Sequence, residues 1–191
     1  MPDIQGFPTA QATNCYIDNQ EVSKILDTEG NVLWEKTYPL HAYAYVYSYF
    51  NNFDDSNETS YELVFEDHEV STPPSGRTLE ATYDLGTTWN GFTKPWANET
   101  EKARVQSISW NATRIKPKYC NSWFENFNEL IYANLQTLDM SNCEESKRMF
   151  YDCSKFTTVD TQSWNLSAVK YASSMFRGCS QLTALDTSNW D

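Results

Sequence analysis

A repeat of 26 residues near the end of the chain constrains the fold more than any other feature of the sequence. Residues 149–153, Met-Phe-Tyr-Asp-Cys, return as residues 175–179, Met-Phe-Arg-Gly-Cys, and a weaker copy opens at Trp123. A period of this length lies within the range of leucine-rich solenoids, in which each unit adds one short strand and a turn or helical segment. We therefore predict a short leucine-rich-repeat solenoid over residues 122–191, with about 2.6 units.

Within each unit, residues 156–160 and 182–186 alternate between apolar and polar, as in a half-buried strand. The apolar members would stack inside successive turns, and the cysteines are expected to be small buried hydrophobic side chains. Two cysteines of adjacent turns could still approach bonding distance. The polar members Thr157 and Thr183 would present a shallow surface for glycans or proteins. The predicted interior residues are Phe124, Phe150, Cys153, Val159, Trp164, Phe176, Cys179, Leu185 and Trp190.

The last unit carries a family resemblance. Residues 175–191, Met-Phe-x-x-Cys-Ser-x-Leu-Thr-x-Leu-Asp-Thr-Ser-Asn-Trp-Asp, resemble the repeat of BspA-like leucine-rich-repeat proteins, which occur on bacterial surfaces and in genomes of phages of gut and oral bacteria. The resemblance covers residues 123–191 and implies an extended binding or adhesive surface without an active site. Because about three units are the minimum for a self-supporting array, we expect this short one to lean on the N-terminal part or on another chain.

The first 36 residues are predicted to attach the chain to a larger particle. Residues 1–14 contain little that could pack, which predicts an extended arm. Residues 15–36 contain two alternating runs around Glu29-Gly30-Asn31, which predicts a β-hairpin. With Val-x-Lys-Ile before the turn and Gly-Asn-x-x-Trp-Glu after it, this segment is similar to a short module of phage virion proteins. The start of the chain lacks the basic and apolar stretches of a Sec-type signal, so we expect release by lysis.

Residues 37–121 are predicted to form a β-domain, either an antiparallel sandwich or a small barrel. Residues 43–50 alternate Tyr with other residues, and residues 61–65, 79–83 and 105–110 are further strand candidates. As a strand, the first run puts four tyrosines on one face, which could bind sugars or proteins or could face the interior of a sheet. These tyrosines are Tyr43, Tyr45, Tyr47 and Tyr49.

Composition excludes several classes of function. The chain has 26 acidic and 14 basic residues and a net charge of -12, so we expect no nucleic-acid binding. No apolar run has the length of a membrane span. His41 and His68 are the two histidines, both are expected in polar surroundings, and no known catalytic, nucleotide-binding or metal motif is present. We predict no enzyme activity, cofactor or metal, although distant carboxylates could meet as in a glycosidase.

The combined pattern predicts a mainly β, non-enzymatic structural or accessory protein on the exterior of a phage virion. It would be a head or tail decoration or a fibre component. Its expected partners are other virion proteins, further copies of the chain, and a glycan or protein of the host surface. A bacterial cell-surface adhesin is the first alternative, and a carbohydrate-active enzyme is the second.

Overall fold

The structure, a computed structural model, describes residues 15–17, 20–22, 24–26, 32–35, 40–50, 58–188 and 190. The chain divides into two compact units, Met1–Pro39 and Leu40–Asp191. The first unit contains two antiparallel strand pairs, β1 (Cys15–Ile17) with β2 (Gln20–Val22) and β3 (Lys24–Leu26) with β4 (Val32–Glu35). The last two strands bracket the position of the predicted hairpin turn. That turn and the predicted arm, residues 1–14, lie outside the described residues.

The second unit is built on one mixed sheet of six strands. In chain order they are β5 (Ala42–Phe50), β6 (Thr59–Glu66), β7 (Arg77–Gly86), β8 (Ser107–Trp110), β9 (Tyr132–Asn134) and β10 (Thr158–Val159). Their order across the sheet is β10-β9-β8-β6-β5-β7. The strands β5, β6 and β7 pair antiparallel, whereas β6, β8, β9 and β10 run parallel. The prediction of a mainly β chain is confirmed.

The described part of the chain contains a single helix, α1 (Glu99–Lys102). It begins at Asn98, whose side-chain oxygen accepts a hydrogen bond from the backbone N–H of Glu101 at 3.1 Å, as an N-cap residue should. With one turn, α1 has neither the length nor the apolar character of a membrane span.

The strands predicted as a separate sandwich or small barrel lie instead in the same sheet as the strands of the repeat. Residues 42–50, 59–66 and 77–86 form its antiparallel half, and their sheet neighbour β8 continues directly into β9. The reason is that β8 pairs with β6 along one edge and with β9 along the other, both in parallel. The strands of the repeat therefore continue the sheet that β6 belongs to. The described residues of this unit therefore form one linear sheet where we expected two stacked layers or a closed barrel.

The strand β8 stands in phase with the repeat, although its sequence does not show it. Ile108 pairs with Ala133 of β9, and Ala133 pairs with Val159 of β10. On the other side Ile108 pairs with Leu63 of β6. All four side chains are buried and form a row across the sheet. The periodic region thus extends one strand further towards the N-terminus than the recurrence of Met, Phe and Cys indicates.

Aromatic residues fill the core beside this row, which compensates for the low aliphatic content of the chain. Trp123 lies at the centre of an aromatic cluster, stacked on Trp89 at 5.3 Å and on Trp110 at 5.6 Å between ring centroids. The edge of Trp96 meets the same ring at 5.9 Å. The indole N–H groups of Trp96 and Trp123 donate to the backbone oxygens of Trp123 and Gly91. This cluster joins the antiparallel half of the sheet to the repeat.

The turns that lie opposite the strands of the repeat also share one backbone conformation. Alternate N–H groups of one turn donate to carbonyl oxygens of the next, as from Phe124 to Met149 and from Phe150 to Met175, both at 2.8 Å. Each turn contains two residues with positive φ. The first set is Ser122, Arg148 and Ser174, and the second is Asn126, Asp152 and Gly178. The period of 26 residues is therefore present in the conformation of the backbone as well as in the sequence.

Candidate functional site

A polar groove of about 460 Å³ lies beside the last two strands of the sheet. Thr157 and Thr183, the two threonines predicted to belong to a binding surface, both line it and are both exposed. Tyr132 of β9 contributes an aromatic ring that is 42 % exposed. Two carboxylates, Asp160 and Asp186, also line it, together with Thr158, Thr161 and Gln162. The structure thus brings together the predicted threonines with an aromatic ring and two acids that the sequence did not single out.

Hydrogen bonds between successive turns hold the polar groups of the groove in place. The hydroxyl of Thr157 donates to the backbone oxygen of Ile131 at 2.9 Å, and that of Thr161 donates to the backbone oxygen of Asp186 at 2.7 Å. The side-chain oxygens of Asp160 and Asp186 accept bonds from backbone N–H groups two residues later. Such local turns fix an Asp side chain at the end of each strand.

These contacts favour the charged form of Asp186. The side-chain and backbone hydrogen bonds from Ser188 lower the pKa of Asp186. Each aspartate accepts a bond in its local turn, and Asp186 also accepts side-chain hydrogen bonds from Ser188 and Gln162. An ionised carboxylate has about four lone-pair sites, so both acids can accept further hydrogen bonds from a ligand. The threonine hydroxyls can accept as well as donate, and the ring of Tyr132 offers a flat apolar face. This set of groups suits a ligand that carries hydroxyl or N–H donors, such as a glycan or a peptide backbone.

A second surface, the charged ladder, lies on the turn side of the repeat. Glu144 bridges Lys118 and Lys170, one in the turn before and one in the turn after, with N–O distances of 3.1 Å each. These two lysines lower the pKa of Glu144. One residue further along each turn, the backbones of Tyr119, Glu145 and Tyr171 form parallel β-bridges. Lys118, Glu144 and Lys170 are spaced 26 residues apart, so the period of the repeat could have located this ladder, although it is not among the predicted surfaces.

Comparison with protein families gives one result. A family model described as Mycoplasma protein of unknown function, DUF285, matches residues 93–191, slightly more than half of the chain. The chain belongs to the DUF285 family. Comparisons with curated proteins and with solved structures find no match. The DUF285 region begins before the repeat that the sequence shows and includes β8, the strand that the structure places in phase with β9 and β10.

The DUF285 region contains the groove, the charged ladder and every predicted interior residue. Phe124, Phe150, Cys153, Trp164, Val159 and Cys179 are buried, whereas Phe176, Leu185 and Trp190 pack half-buried against the same core. The half-buried residues belong to the last turn, where the described structure has no following turn to cover them. Among the described residues, no group of three or more His, Cys, Asp or Glu side chains could hold a metal ion.

The predicted tyrosine face lies on β5, outside the DUF285 region. Tyr43, Tyr45 and Tyr47 form a stacked row with centroid distances of 5.8 and 5.9 Å. Tyr45 and Tyr47 are each only 2 % exposed, while Tyr43 and Tyr49 are half-buried. Burial raises the pKa of the Tyr45 and Tyr47 phenols. The centre of this row is therefore closed to a ligand.

The two histidines are apart from both surfaces. His41 stacks on Tyr43 at 4.6 Å and its Nε2 lies 2.5 Å from a carboxylate oxygen of Asp84. His68 contacts the carboxylate of Asp67 at 3.2 Å. Each histidine thus contacts a neighbouring acid, and neither lines the groove.

Proposed function

We propose that this chain is a non-enzymatic binding protein of a phage particle, displayed on the exterior of the virion, and that the groove beside β9 and β10 is its binding site. The observation that carries this proposal is the groove itself, in which Thr157 and Thr183 from successive units lie with Tyr132. The ligand would be a glycan or protein of the host surface or a neighbouring virion subunit.

The finer fold is part of the same proposal. We infer that residues 93–191 form a leucine-rich-repeat solenoid in which β8, β9 and β10 are the strands of successive units. Support comes from the parallel pairing of these strands, the hydrogen bonds from one turn to the next, and the two sets of positive-φ residues in phase. In such a stack each unit contributes the same polar positions to one surface, which favours several weak contacts with an extended ligand.

The chemistry of the groove favours binding over catalysis. Thr157, Thr183 and Tyr132 offer hydroxyl groups and a ring, whose typical roles are hydrogen bonding and stacking. Asp160 and Asp186 accept bonds from their own local turns, which suits them to orient ligand hydroxyls. A shallow groove of this kind binds each sugar or residue weakly, so that copies on one particle would act together through avidity.

A bacterial cell-surface adhesin is a second candidate, and one observation favours it. The description of the DUF285 family names Mycoplasma, a bacterium, as the source of its proteins. The same groove would serve both roles, because a phage particle and a bacterial surface both present many copies of a protein to glycans or proteins. The two candidates differ in where the chain resides.

Mass spectrometry of purified phage particles tests the location. We expect peptides of this chain in intact virions that have been washed and banded by density. Detection only in the envelope or surface fraction of a bacterial cell would replace the phage proposal with the adhesin.

Binding to a glycan array, with the full chain as probe, tests the groove. We expect a Thr183→Arg variant to lose at least tenfold in affinity for any glycan that the wild type binds, because the new side chain fills the groove. Thr87→Arg is the matched control, since Thr87 is exposed but lies in the turn after β7. Equal loss in both variants, or none in Thr183→Arg, would argue against this site.

A further inference from the structure

Two buried cysteines at the start of the repeat are close enough for a bond between them. The Sγ atoms of Cys120 and Cys143 lie 3.5 Å apart, and both residues are fully buried. Both are free thiols in the structure. Forming a disulfide would require the sulfurs to approach to about 2.05 Å. The two sulfurs would therefore have to move together by about 1.5 Å.

The backbone around the pair is anchored on both sides. The N–H of Cys120 donates to the oxygen of Glu145 at 2.7 Å, and the N–H of Cys143 donates to the oxygen of Met140 at 2.9 Å. The thiol of Cys143 lies 3.4 Å from the same Glu145 oxygen. The two thiols are therefore held side by side between neighbouring turns, as a covalent bridge between the turns would require.

Cys153 and Cys179 interact with each other as well, but their thiols are also bound to backbone oxygens. The thiols of Cys153 and Cys179 donate to the backbone oxygens of Phe124 and Phe150, each at 3.0 Å. Oxidation would remove two thiol hydrogen bonds of 3.0 Å here, whereas the corresponding bond from Cys143 to the Glu145 oxygen is longer, at 3.4 Å. These cysteines recur at the 26-residue period, whereas Cys120 and Cys143 do not, and we expect Cys153 and Cys179 to remain thiols.

A soft metal ion is the competing use of the pair. Met140 Sδ lies 3.9 Å from Cys120 Sγ, and thiolates with a thioether are ligands for ions such as Cu(I). A metal ion would require two thiolates, however. The hydrogen bond with Cys120 lowers the pKa of the Cys143 thiol, but burial raises the pKa of the Cys120 thiol well above its usual value. A disulfide is neutral and apolar, so full burial favours it over a pair of charged ligands.

We propose that Cys120 and Cys143 are a redox pair that closes to a disulfide in an oxidising environment and joins two successive turns of the repeat. With hydrogen peroxide as oxidant, the two thiols lose two protons and two electrons, one S–S bond forms, and the O–O bond breaks to give two molecules of water. The inference does not depend on what the groove binds or on where the chain resides.

The bond would strengthen the repeat region where it begins. It would close a loop from residue 120 to residue 143, which contains β9 and Trp123, the centre of the aromatic cluster. Constraining a loop of this length lowers the entropy of the unfolded chain. We expect the oxidised chain to melt about 5–10 °C above the reduced chain.

Peptide mapping of the full chain tests the proposal. After peroxide treatment and alkylation in denaturant, trypsin should release residues 119–147 as one peptide that carries no alkyl group and is 2 Da lighter than the reduced form. Cleavage after Glu125 or Glu129 should leave the two halves joined until a reducing agent is added. Full alkylation of both residues after peroxide, or a bond from either one to another cysteine, would overturn the proposal.

Variants and a metal assay complete the test. Cys143→Ser should abolish both the bond and the gain in melting temperature on oxidation, whereas Cys153→Ser should keep both. If Cys143→Ser does not fold, the wild-type chain with and without dithiothreitol still reports the shift. Copper or zinc bound in one equivalent, with both thiols protected from alkylation until a chelator is added, would assign the pair to a metal and overturn the disulfide.

Discussion

The ring of Phe150 stacks on the ring of Phe176 from the next turn, with 5.3 Å between centroids and only 4° between planes. On its other side Phe150 meets Phe124 at 5.1 Å. Equivalent residues 26 positions apart thus contact one another directly, and the column of three rings is the central packing element of the repeat. Phe150 lies between two equivalent phenylalanines, whereas the other described ring on Phe176 is Trp190 at 6.2 Å. We therefore expect the two positions to differ in their contribution to stability.

Replacing Phe150 with Ala should destabilise the chain by about 3–5 kcal/mol, because a fully buried ring leaves a cavity between two others. Phe176→Ala should have a smaller effect, since that ring is only half-buried. Urea denaturation followed by circular dichroism measures both values. A larger loss for Phe176→Ala than for Phe150→Ala would contradict this packing order.

Gly91 should not tolerate a side chain. It has a φ of 91°, and a Cβ at this position would lie 1.9 Å from the backbone oxygen of Tyr119. Gly91→Ala should therefore destabilise the chain by at least 2 kcal/mol, because the backbone beside Trp123 must move. Gly76→Ala is the matched control, since Gly76 has a φ of 76° but no atom within 4 Å of the added Cβ. Its cost should be about 1 kcal/mol from φ alone, and equal melting temperatures of the two variants would refute the close approach.

Stability should fall at acid pH through Asp67. Burial opposes ionisation of this carboxyl, but hydrogen bonds from the side chain and backbone of Arg114 outweigh it and lower its pKa. A lowered pKa stabilises the fold above the unfolded value of about 3.9, and this contribution disappears as the pH falls through the folded value. Asp67→Asn should destabilise by about 1–3 kcal/mol at pH 7 and by progressively less as the pH falls through the folded pKa of Asp67, as measured by urea denaturation.

Asp139→Asn serves as the comparison for Asp67. Lys116, 2.7 Å from Asp139, lowers the pKa of that carboxyl to about 2, but the Asp139 side chain is 32 % exposed, against 9 % for Asp67. Solvent screens the exposed pair, so its substitution should change stability less at pH 7. The reverse order of the two variants would show that burial does not determine the strength of these ion pairs.

The tyrosine row should resist ionisation. Burial raises the pKa of Tyr45 and Tyr47, so the folded state is favoured below the unfolded value of about 10 and loses stability as the pH rises through the folded values. Spectrophotometric titration should show phenols that ionise only with unfolding above pH 10. Tyr45→Phe should remove one of them, and it should cost about 1 kcal/mol through the lost bond from the N–H of Val70 to the Tyr45 hydroxyl.

Much of the repeat could be predicted because its signal is periodic. Phe124, Phe150 and Phe176 occupy one phase in the sequence and one stack in the structure. Thr157 and Thr183 occupy equivalent positions of successive units in the sequence, and both line the groove. A residue that meets its own equivalent in the next turn must satisfy the same packing in every unit, so the spacing alone carries the information.

The antiparallel half of the sheet was less predictable. Alternation marked the strands near residues 43–50, 61–65 and 79–83, but alternation does not specify which strand edges meet. The pairing of Leu63 with Ile108 merges what we predicted as a separate β-domain with the repeat, and it joins residues 45 positions apart in the sequence. The alternation of tyrosine in residues 43–49 is also the same whether that face of the strand is exposed or buried, so the sequence does not distinguish the two.

The period, the stacked interior residues and the mainly β character of the chain can all be read from spacing and side-chain type. Folding in three dimensions is needed to place β8 in phase with the repeat and to bring Tyr132, Asp160 and Asp186 to the two threonines. The same holds for the approach of the Cys120 and Cys143 thiols to 3.5 Å. The physical reason is that hydrogen bonding between strand edges and the packing of Trp123 bring together residues that share no phase in the sequence.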